Sequence, residues 1–318
     1  MNLDHSPVLA VDVGGTKVAL AVVTPDGRLL AERVVATATS ADPELVWQPV
    51  GAAVTELVGA AEHAGPWHVG VGSAGPIDVP RGTVSPVNIA GWRGFDLVGR
   101  LQRAVRAASD DEPAVRLAGD GHCIAIGEHW LGAGRDLSSM VGMVISTGIG
   151  GGAVIDDRLF AGTTGNAVLF GHTSVDAWGP RCVCGGHGCV ESYAGGRSMA
   201  LAARARGWGG HDGRELTRDA AAGHPIAVEV IDRGMRACAA GIAATATNLD
   251  VATFVVGGGL AKAGEVVLGP LRRHLHDFAT LDFTRGLELR AAELPNAGLL
   301  GAASLALAIT GRGGLRGE

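Results

Sequence analysis

The chain has 318 residues, of which 47% are hydrophobic and 18% are charged. This length suggests two domains, and this balance is typical of a globular protein rather than a disordered one. The net charge of −6 and the lack of any basic stretch argue against a nucleic-acid partner. No apolar run approaches the roughly 18 residues of a membrane span, and the start shows no leader sequence. We therefore expect a cytoplasmic protein without membrane contact.

Apolar runs and amphipathic patterns alternate along the chain, and turn residues separate them. The predicted strands cover residues 7–13, 18–23, 29–36, 67–73, 114–118, 140–146, a run that ends at 155, 253–256 and 287–290. The predicted helices cover residues 43–64, 96–108, 120–131, 191–206, 226–248 and 298–309, and Asp42 is the expected N-cap of the first. A long irregular stretch is expected from 79 to 95. Strands that alternate with helices indicate the α/β class.

One internal similarity suggests how the domains are organised. Residues 8–23 and 141–155 share a plan, in which an apolar strand, a glycine turn carrying a threonine and a second apolar strand follow one another. Two related domains would explain this, and chance similarity is the alternative. We predict a small N-terminal α/β domain, 1–118, completed by a C-terminal helix, 298–318. A larger α/β domain, 119–297, would contain the cysteine-rich loop.

Three glycine turns, each at the end of an apolar strand, are candidates for phosphate binding. Glycine is abundant in the chain, with 51 residues, and its lack of a Cβ lets backbone N–H groups approach phosphate oxygens. The candidate residues are Gly14, Gly15, Thr16 and Lys17 in the first turn, Thr147 and Gly148 in the second, and Gly257 and Gly258 in the third. None matches a P-loop or dinucleotide signature. Any one of them read alone is better explained as an ordinary turn, but the three together favour phosphate binding.

Two aspartates stand next to these features. Asp12 ends the first strand, where a carboxylate could hold Mg²⁺ through water. Asp120 ends a strand and opens a helix, where a carboxylate could accept the proton of an attacking hydroxyl. Each also has a plain structural explanation, a turn cap for Asp12 and a helix N-cap for Asp120.

A cysteine cluster predicts a metal site. There are five cysteines, and three of them fall within eight residues, ten residues after a histidine. The candidate ligands are His172, Cys182, Cys184 and Cys189. One nitrogen and three sulfurs suit tetrahedral Zn²⁺, and four protein ligands indicate a structural role. Buried free thiols are the alternative, and for Cys123 and Cys238 we expect core packing.

These motifs together resemble the ROK family (repressor, open reading frame, kinase), in particular its bacterial glucokinases, over nearly the whole chain. The similar segments are Asp12–Lys17, Ala74–Asp78, Asn88 to Trp92, Ser146–Gly152, Cys182–Glu191 and Val256–Gly259. The resemblance implies an actin-like ATPase (ribonuclease H-like) fold, with two domains around a central cleft that close on ATP, Mg²⁺ and a sugar. It also implies a homodimer.

The same resemblance assigns roles to residues. Asp120 would be the catalytic base, and the three glycine turns with Asp12 would bind ATP and Mg²⁺. The implied sugar contacts are Gly75, Asn88, Gly119, Asp120, His172 and Glu191. His172 would also bind the structural zinc, which would position the sugar-binding loop without taking part in the chemistry.

Two departures from the family pattern lie on the sugar side. Gly119 stands where the family has asparagine, and Val168 and Leu169 stand where it has glycine and glutamate. We therefore expect a kinase that phosphorylates a hexose or an amino hexose, with the 6-hydroxyl as acceptor, and glucose as a poor substrate. A kanosamine-type kinase would be one such case.

Two other classes of protein would account for part of the sequence. A non-catalytic sugar sensor would account for the altered sugar side, although the ROK repressors carry an N-terminal DNA-binding domain and the first strand here begins at about Pro7. A purely structural zinc protein would leave the three glycine turns unexplained.

Overall fold

The computed structural model describes residues 6–62, 65–312 and 315. By internal contacts, the chain separates into two compact units. The first comprises the described residues of Met1–Ser138, Gly152–Ala167 and Leu294–Glu318, and the second comprises Ser139–Gly151 and Val168–Glu293. Within the described ranges, no helix has both the length and the apolar character needed to cross a membrane.

The secondary structure alternates between strands and helices. The strands are β1 (Val8–Val13), β2 (Lys17–Val23), β3 (Leu29–Ala36), β4 (His68–Ser73), β5 (Ile77–Asp78), β6 (Thr83–Val84), β7 (Phe95–Asp96), β8 (Ala114–Gly119), β9 (Met140–Ile145), β10 (Ile149–Ile155), β11 (Arg158–Leu159), β12 (Thr253–Gly257) and β13 (Glu288–Ala291). The helices are α1 (Pro43–Ala60), α2 (Leu97–Ser109), α3 (Asp120–Leu131), α4 (Val190–Ala194), α5 (Gly196–Arg204), α6 (Gly213–Ala221), α7 (Pro225–Leu249), α8 (Glu265–Phe278) and α9 (Ala297–Ala308).

The first unit is built on a mixed five-stranded sheet with the order β3-β2-β1-β4-β8. Strands β1, β2 and β3 pair antiparallel as a meander, and β4 and β8 add parallel to β1. Successive side chains of a strand point to opposite faces. Leu9, Val11 and Val13 of β1 join the hydrophobic core with α1 and α2, which leaves the intervening residues, Asp12 among them, on the face that packs against α3 and α9.

Glycines on β4 bring α9 and α3 unusually close to this sheet. A Cβ built on Gly70 would lie 1.7 Å from the carbonyl oxygen of Ala302 in α9, and one on Gly72 would lie 2.8 Å from the Cys123 Sγ in α3. A side chain at Gly70 would therefore require a backbone shift in α9, and one at Gly72 would require Cys123 to move. The result is a tightly packed layer, against which the Asp12 carboxylate lies.

The second sheet has the order β11-β10-β9-β12-β13, with β9, β12 and β13 parallel. The chain passes from the second unit to the first within β10, between Gly151 and Gly152. In the second unit the long helix α7 packs against α4, α6 and α8. Its inner side is lined by alanine, glycine and small apolar residues, so the neighbouring helices approach closely.

Most of the predicted elements are confirmed, including the Asp42 N-cap of α1, whose Oδ1 accepts a hydrogen bond from the Glu44 N–H at 2.9 Å. The predicted helix 191–206 is instead two helices, since Gly195 is extended and the first N–H groups of α5 bond elsewhere. The expected irregular stretch contains the short strands β6 and β7, which form a three-stranded sheet with β5. Helix α6 was not predicted.

The C-terminal helix ends at Ala308 rather than extending towards residue 318. Residues 1–5, 63–64, 313–314 and 316–318, which include the expected end of the first helix and the last part of the C-terminal one, lie outside the described residues. The domain boundaries predicted from the sequence stay a prediction. The contact-based units place α3 with the N-terminal part of the chain.

Candidate active site

In the first unit, the turn between β1 and β2 carries the first predicted phosphate motif. The Gly14 N–H donates to the carbonyl oxygen of Lys17 at 3.0 Å, which closes the hairpin and leaves the Thr16 and Lys17 side chains exposed. A Cβ on Gly15 would lie 3.0 Å from the Cβ of Asn88. The absence of a side chain at Gly15 therefore allows Asn88, a predicted sugar contact, to lie against the turn.

Asp12 lies one strand residue before this turn and faces the start of α9. A Cβ on Gly298, in the first turn of α9, would approach the Asp12 Oδ2 to 2.8 Å, so the carboxylate is close to a helix N-terminus. Burial, and after it the charge of Asp120, raises the pKa of Asp12 to about 6, although Lys17 acts to lower it. Two carboxylates that repel each other in this way form a site that favours a bound cation.

Asp120 is the first residue of α3 and directly follows the end of β8. Its Oδ1 accepts a hydrogen bond from the Gly121 N–H at 2.7 Å, and the side chain is partly exposed. The N-cap residue of the helix is Gly119, which offers no side-chain oxygen to the helix N-terminus. Asp120 is thus held in place by its own helix while the residue stays partly exposed.

The sequence reasoning missed His122, which lies two residues after Asp120. Its side chain is 3% exposed, and its Nε2 lies 2.7 Å from the carbonyl oxygen of Ala167. Burial lowers the pKa of His122, although the hydrogen bond to Ala167 acts in the opposite direction. The only sequence signal was its position beside Asp120 on the inner face of a helix.

Asn166 was also missed, and it holds the segment that contains Gly75. Its amide donates to the carbonyl oxygen of Ile77 at 2.8 Å and accepts from the Ile77 N–H at 3.1 Å. The Ala74 N–H donates to the carbonyl oxygen of Val13 at 2.9 Å. Gly75 is thereby placed beside the end of β1, with no atom nearer than 3.9 Å to a Cβ built on it.

In the second unit, the turn between β9 and β10 carries the second predicted phosphate motif. The Glu191 Oε2 accepts a hydrogen bond from the Ile149 N–H at 2.7 Å, and a Cβ on Gly148 would lie only 2.4 Å from the same oxygen. The first N–H groups of α5 complete the turn, because Gly196 and Arg197 donate to the carbonyl oxygens of Ser146 and Thr147. Glu191, a predicted sugar contact, therefore holds this turn with one carboxylate oxygen.

The third glycine turn follows β12 and lies against the second. Gly258 has a φ of +99°, and a Cβ there would lie 2.4 Å from the carbonyl oxygen of Ile145. Gly259 lies beside the Ser146 Oγ, and the Leu260 N–H donates to Ile145. The structure thus brings two predicted nucleotide-binding turns together within one unit.

The four predicted metal ligands also come together in the second unit. Their ligand atoms all lie within 4.8 Å of one another. The Cys182 Sγ is 3.7 Å from the His172 Nδ1, and the Cys184 Sγ is 3.7 Å from the Cys189 Sγ. Burial acts to raise the pKa of Cys182, but hydrogen bonds have a larger effect in the opposite direction and lower the pKa to about 7. The largest of these contributions comes from the backbone of Cys184. A thiol that ionises this readily is suited to metal binding.

The remaining cysteines and the altered sugar-side residues lie outside this cluster. Cys123 and Cys238 are fully buried, which confirms the predicted core packing. Val168 has a φ of +55°, in the left-handed region, and Leu169 is 44% exposed. A short 3₁₀ turn then leads to His172, whose N–H donates to the Leu169 carbonyl oxygen at 2.9 Å. The two changed residues thus directly precede the turn that ends at His172, a predicted metal ligand.

The fold is that of an actin-like ATPase, which confirms the predicted fold. Each of its two five-stranded sheets has a hairpin turn with glycine and threonine, and Asp12 and Asp120 lie near the turn of the first sheet. The ROK family profile matches residues 8–309. The chain belongs to the ROK family, as its motifs predicted.

Three relatives illustrate the breadth of this family. A glucokinase of Streptomyces coelicolor is 33% identical over 321 residues, covering 94% of this chain and 96% of the relative. An N-acetylmannosamine kinase of Escherichia fergusonii is 34% identical over 300 residues, covering 94% and 97%. A ROK glucokinase of Streptomyces griseus, solved in complex with glucose and AMPPNP, is 33% identical with a TM-score of 0.78, covering 94% and 99%.

Proposed function

We propose that this chain transfers the γ-phosphate of ATP to the 6-hydroxyl of a hexose or amino hexose, with Asp120 as the general base. The chain is an ATP-dependent sugar kinase, as its family and its glucokinase and N-acetylmannosamine kinase relatives support. The observation that carries the finer proposal is the placement of the Asp120 carboxylate at the N-terminus of α3, partly exposed and electrostatically coupled to Asp12.

Each group in the first unit has a role in this proposal. Asp120 accepts the proton of the attacking hydroxyl as the bond to phosphorus forms. The turn from Gly14 to Lys17 presents the Lys17 cation and its backbone N–H groups to the phosphates, except for the Gly14 N–H, which closes the hairpin. Asp12 would hold Mg²⁺. When bound, Mg²⁺ supplies positive charge that offsets the charge on the transferring phosphate. Asn88 and Gly75 contact the sugar.

In the second unit, we assign Thr147 and Gly148 to the phosphates and Gly257 and Gly258 to the adenosine side. Glu191 and His172 are proposed sugar contacts. One oxygen of Glu191 holds the turn at Ile149, and its other oxygen is left for a sugar hydroxyl. This double use would link the position of the phosphate turn to the presence of a sugar.

We further propose that the metal is Zn²⁺ in a structural role. Zn–S bonds of about 2.3 Å place two sulfurs of a tetrahedral site about 3.7 Å apart. The Cys184 and Cys189 sulfurs are 3.7 Å apart, which agrees with that geometry. The homodimer implied by the resemblance and the cytoplasmic location expected from the sequence stay predictions.

The experiment that tests the kinase proposal is an ADP-release assay with ATP, Mg²⁺ and a panel of sugars. The panel contains glucose, 2-amino and 3-amino hexoses, N-acetylmannosamine and the 6-deoxy form of the best substrate. The 6-deoxy sugar should not react, because it lacks the acceptor hydroxyl. A 6-deoxy substrate that reacted as well as its parent would show that another hydroxyl is the acceptor.

Asp120→Asn tests the base directly. The substitution keeps the shape of the side chain and removes its ability to accept a proton, so kcat should fall about 10²–10⁴-fold while ATP binding changes little. Asp282→Asn is the matched control, since it removes a carboxylate that is 93% exposed. Full activity of Asp120→Asn would remove Asp120 from the mechanism.

A non-catalytic sugar sensor is the second candidate, and one observation favours it. Leu169, which is half-exposed, stands where the family has glutamate, so the sugar side has lost a carboxylate. The same assay decides between the two functions. ATP binding without ADP release on any sugar of the panel would support the sensor over the kinase.

A further inference from the structure

His122 carries its proton on Nε2. That nitrogen lies 2.7 Å from the carbonyl oxygen of Ala167, and a carbonyl oxygen can only accept a hydrogen bond, so Nε2–H is the donor. The side chain is buried, which disfavours a second proton on the ring. Nδ1 is therefore an acceptor with a free lone pair.

This Nδ1 is buried without a hydrogen-bond partner among the residues that the structure describes. Buried polar atoms are nearly always paired, and an unpaired one in a native structure calls for an explanation. The ring cannot turn over to satisfy it without breaking the bond from Nε2 to Ala167. The atom is thus held in one orientation as an acceptor for a group that the chain itself does not provide.

The unpaired atom faces Gly119. A Cβ built on Gly119 would lie 3.3 Å from the His122 Nδ1, nearer to it than to any other atom outside the neighbouring residues. A longer side chain at 119 would enter the space next to Nδ1, and an amide there could donate to it. Glycine places no side chain and no donor against the buried Nδ1, directly before Asp120 in the chain.

The surroundings of this space are rich in acceptors and negative charge. Asp120 is adjacent in sequence and its charge acts on Asp12, so two carboxylates lie near the end of β8. His122 adds a neutral acceptor, and Gly119 contributes no side-chain donor. A hydroxyl can donate only one hydrogen bond in such a place, whereas an ammonium group donates three and accepts none.

We propose that the His122 Nδ1 accepts a hydrogen bond from the ammonium group of an amino hexose bound beside Asp120, which makes His122 a specificity-determining residue. This inference rests on the proposed kinase function and narrows its substrate to a cationic amino sugar. The negative charge of Asp120 attracts the ammonium group, and the hydrogen bond to the His122 Nδ1 fixes where that group lies.

Two substitutions distinguish the acceptor role of the His122 Nδ1 from the structural role of the hydrogen bond between Nε2 and Ala167. His122→Gln places an amide nitrogen where Nε2 lies, so it can keep the hydrogen bond to Ala167 while the acceptor at Nδ1 is lost. His122→Asn places an amide oxygen near the position of Nδ1 and keeps the acceptor while it loses the bond to Ala167. The measured quantity is the ratio of kcat/KM for an amino hexose to kcat/KM for glucose, with 2-amino and 3-amino glucose as the amino sugars.

The wild-type chain should prefer one of the two amino sugars to glucose. His122→Gln should lower that ratio about tenfold or more, and His122→Asn should keep most of it even if its melting temperature falls. An unchanged ratio in His122→Gln, or equal losses in the two variants, would overturn the inference. A wild-type chain that phosphorylates glucose but neither amino sugar would also overturn the inference about His122, and the kinase proposal would stand. A chain that phosphorylates no sugar would refute both the inference and the kinase proposal.

Discussion

Asp12→Asn should make the ligand-free chain more stable at neutral pH while it lowers kinase activity. Burial and the charge of Asp120 raise the pKa of Asp12 from 3.8 to about 6, against the effect of Lys17. The ionised carboxylate therefore costs free energy in the folded chain that it does not cost in the unfolded chain. Asparagine has the same shape and avoids this cost.

The magnitude follows from the two pKa values. One pKa unit corresponds to about 1.4 kcal/mol, so the full effect would be about 3 kcal/mol at neutral pH. Protein atoms crowd around the carboxylate, but part of the side chain remains accessible to water, so we expect about 2 kcal/mol. The folded chain binds the Asp12 proton more tightly than the unfolded chain. The cost is therefore absent well below pH 4, grows as the pH rises towards 6 and stays constant above it.

The assay is thermal or urea unfolding without nucleotide at pH 7.5, 5.5 and 4.5. Asp12→Asn should gain several °C at pH 7.5, and the gain should shrink towards pH 4.5. Asp282→Asn, which removes an exposed carboxylate, should show little change at any of these pH values. The activity of Asp12→Asn should fall about 10²-fold or more, because the carboxylate that we propose as the Mg²⁺ ligand is gone. An Asp12→Asn variant that was no more stable than the wild type at pH 7.5, or whose gain did not depend on pH, would refute this reasoning.

Three further predictions concern the metal and the sugar side. Elemental analysis should find one Zn²⁺ per chain, and Cys184→Ser should lower both the zinc content and the melting temperature, since bound metal stabilises the loop. Gly119→Asn combined with Leu169→Glu should raise kcat/KM for glucose about tenfold or more, because each change adds a hydrogen-bonding group on the sugar side. Val168→Gly should raise the free energy of unfolding by about 1 kcal/mol, as measured by urea denaturation, because Val168 has a φ of +55° and a β-branched residue is strained there.

Each of these predictions has an outcome that would contradict it. Protein purified without zinc and unaffected by a chelator would rule out the structural metal. A double variant with unchanged kcat/KM for glucose would show that positions 119 and 169 do not set the specificity. A Val168→Gly variant less stable than the wild type would mean that contacts of the valine side chain outweigh the backbone strain.

The features that the sequence predicted well are local ones. Each glycine turn directly follows a strand, and three of the four predicted metal ligands fall within eight residues. The spacing of residues in such motifs is enough to predict the backbone shape of a turn and the side chains that could bind a metal. The Asp42 N-cap and the strands of the first sheet are local in the same sense, because a cap or an alternating apolar pattern is complete within one segment.

The features that the sequence did not reveal depend on contacts between distant segments. The carbonyl partner of His122 is 45 residues away, and Glu191 bonds a backbone N–H 42 residues away. Asn166 holds Ile77 across 89 residues. No local pattern distinguishes a buried histidine with both nitrogens paired from one with a single paired nitrogen. The orientation of His122, and hence the candidate specificity residue, required the folded structure.

The altered segment before His172 combines a strained backbone with an apolar side chain. Val168 has a left-handed φ, which glycine adopts without strain and a β-branched residue does not. Hydrogen bonds from the Phe170 and His172 N–H groups to the carbonyl oxygens of Val168 and Leu169 fix the path of the turn. His172 consequently stays within reach of the three cysteine sulfurs, while the position of Leu169 offers no carboxylate. Because the same turn positions His172 beside the cysteines, it would be kept whether the sugar specificity has changed or the sugar site has been lost. Kinase activity on the sugar panel is therefore the measurement that distinguishes the two cases.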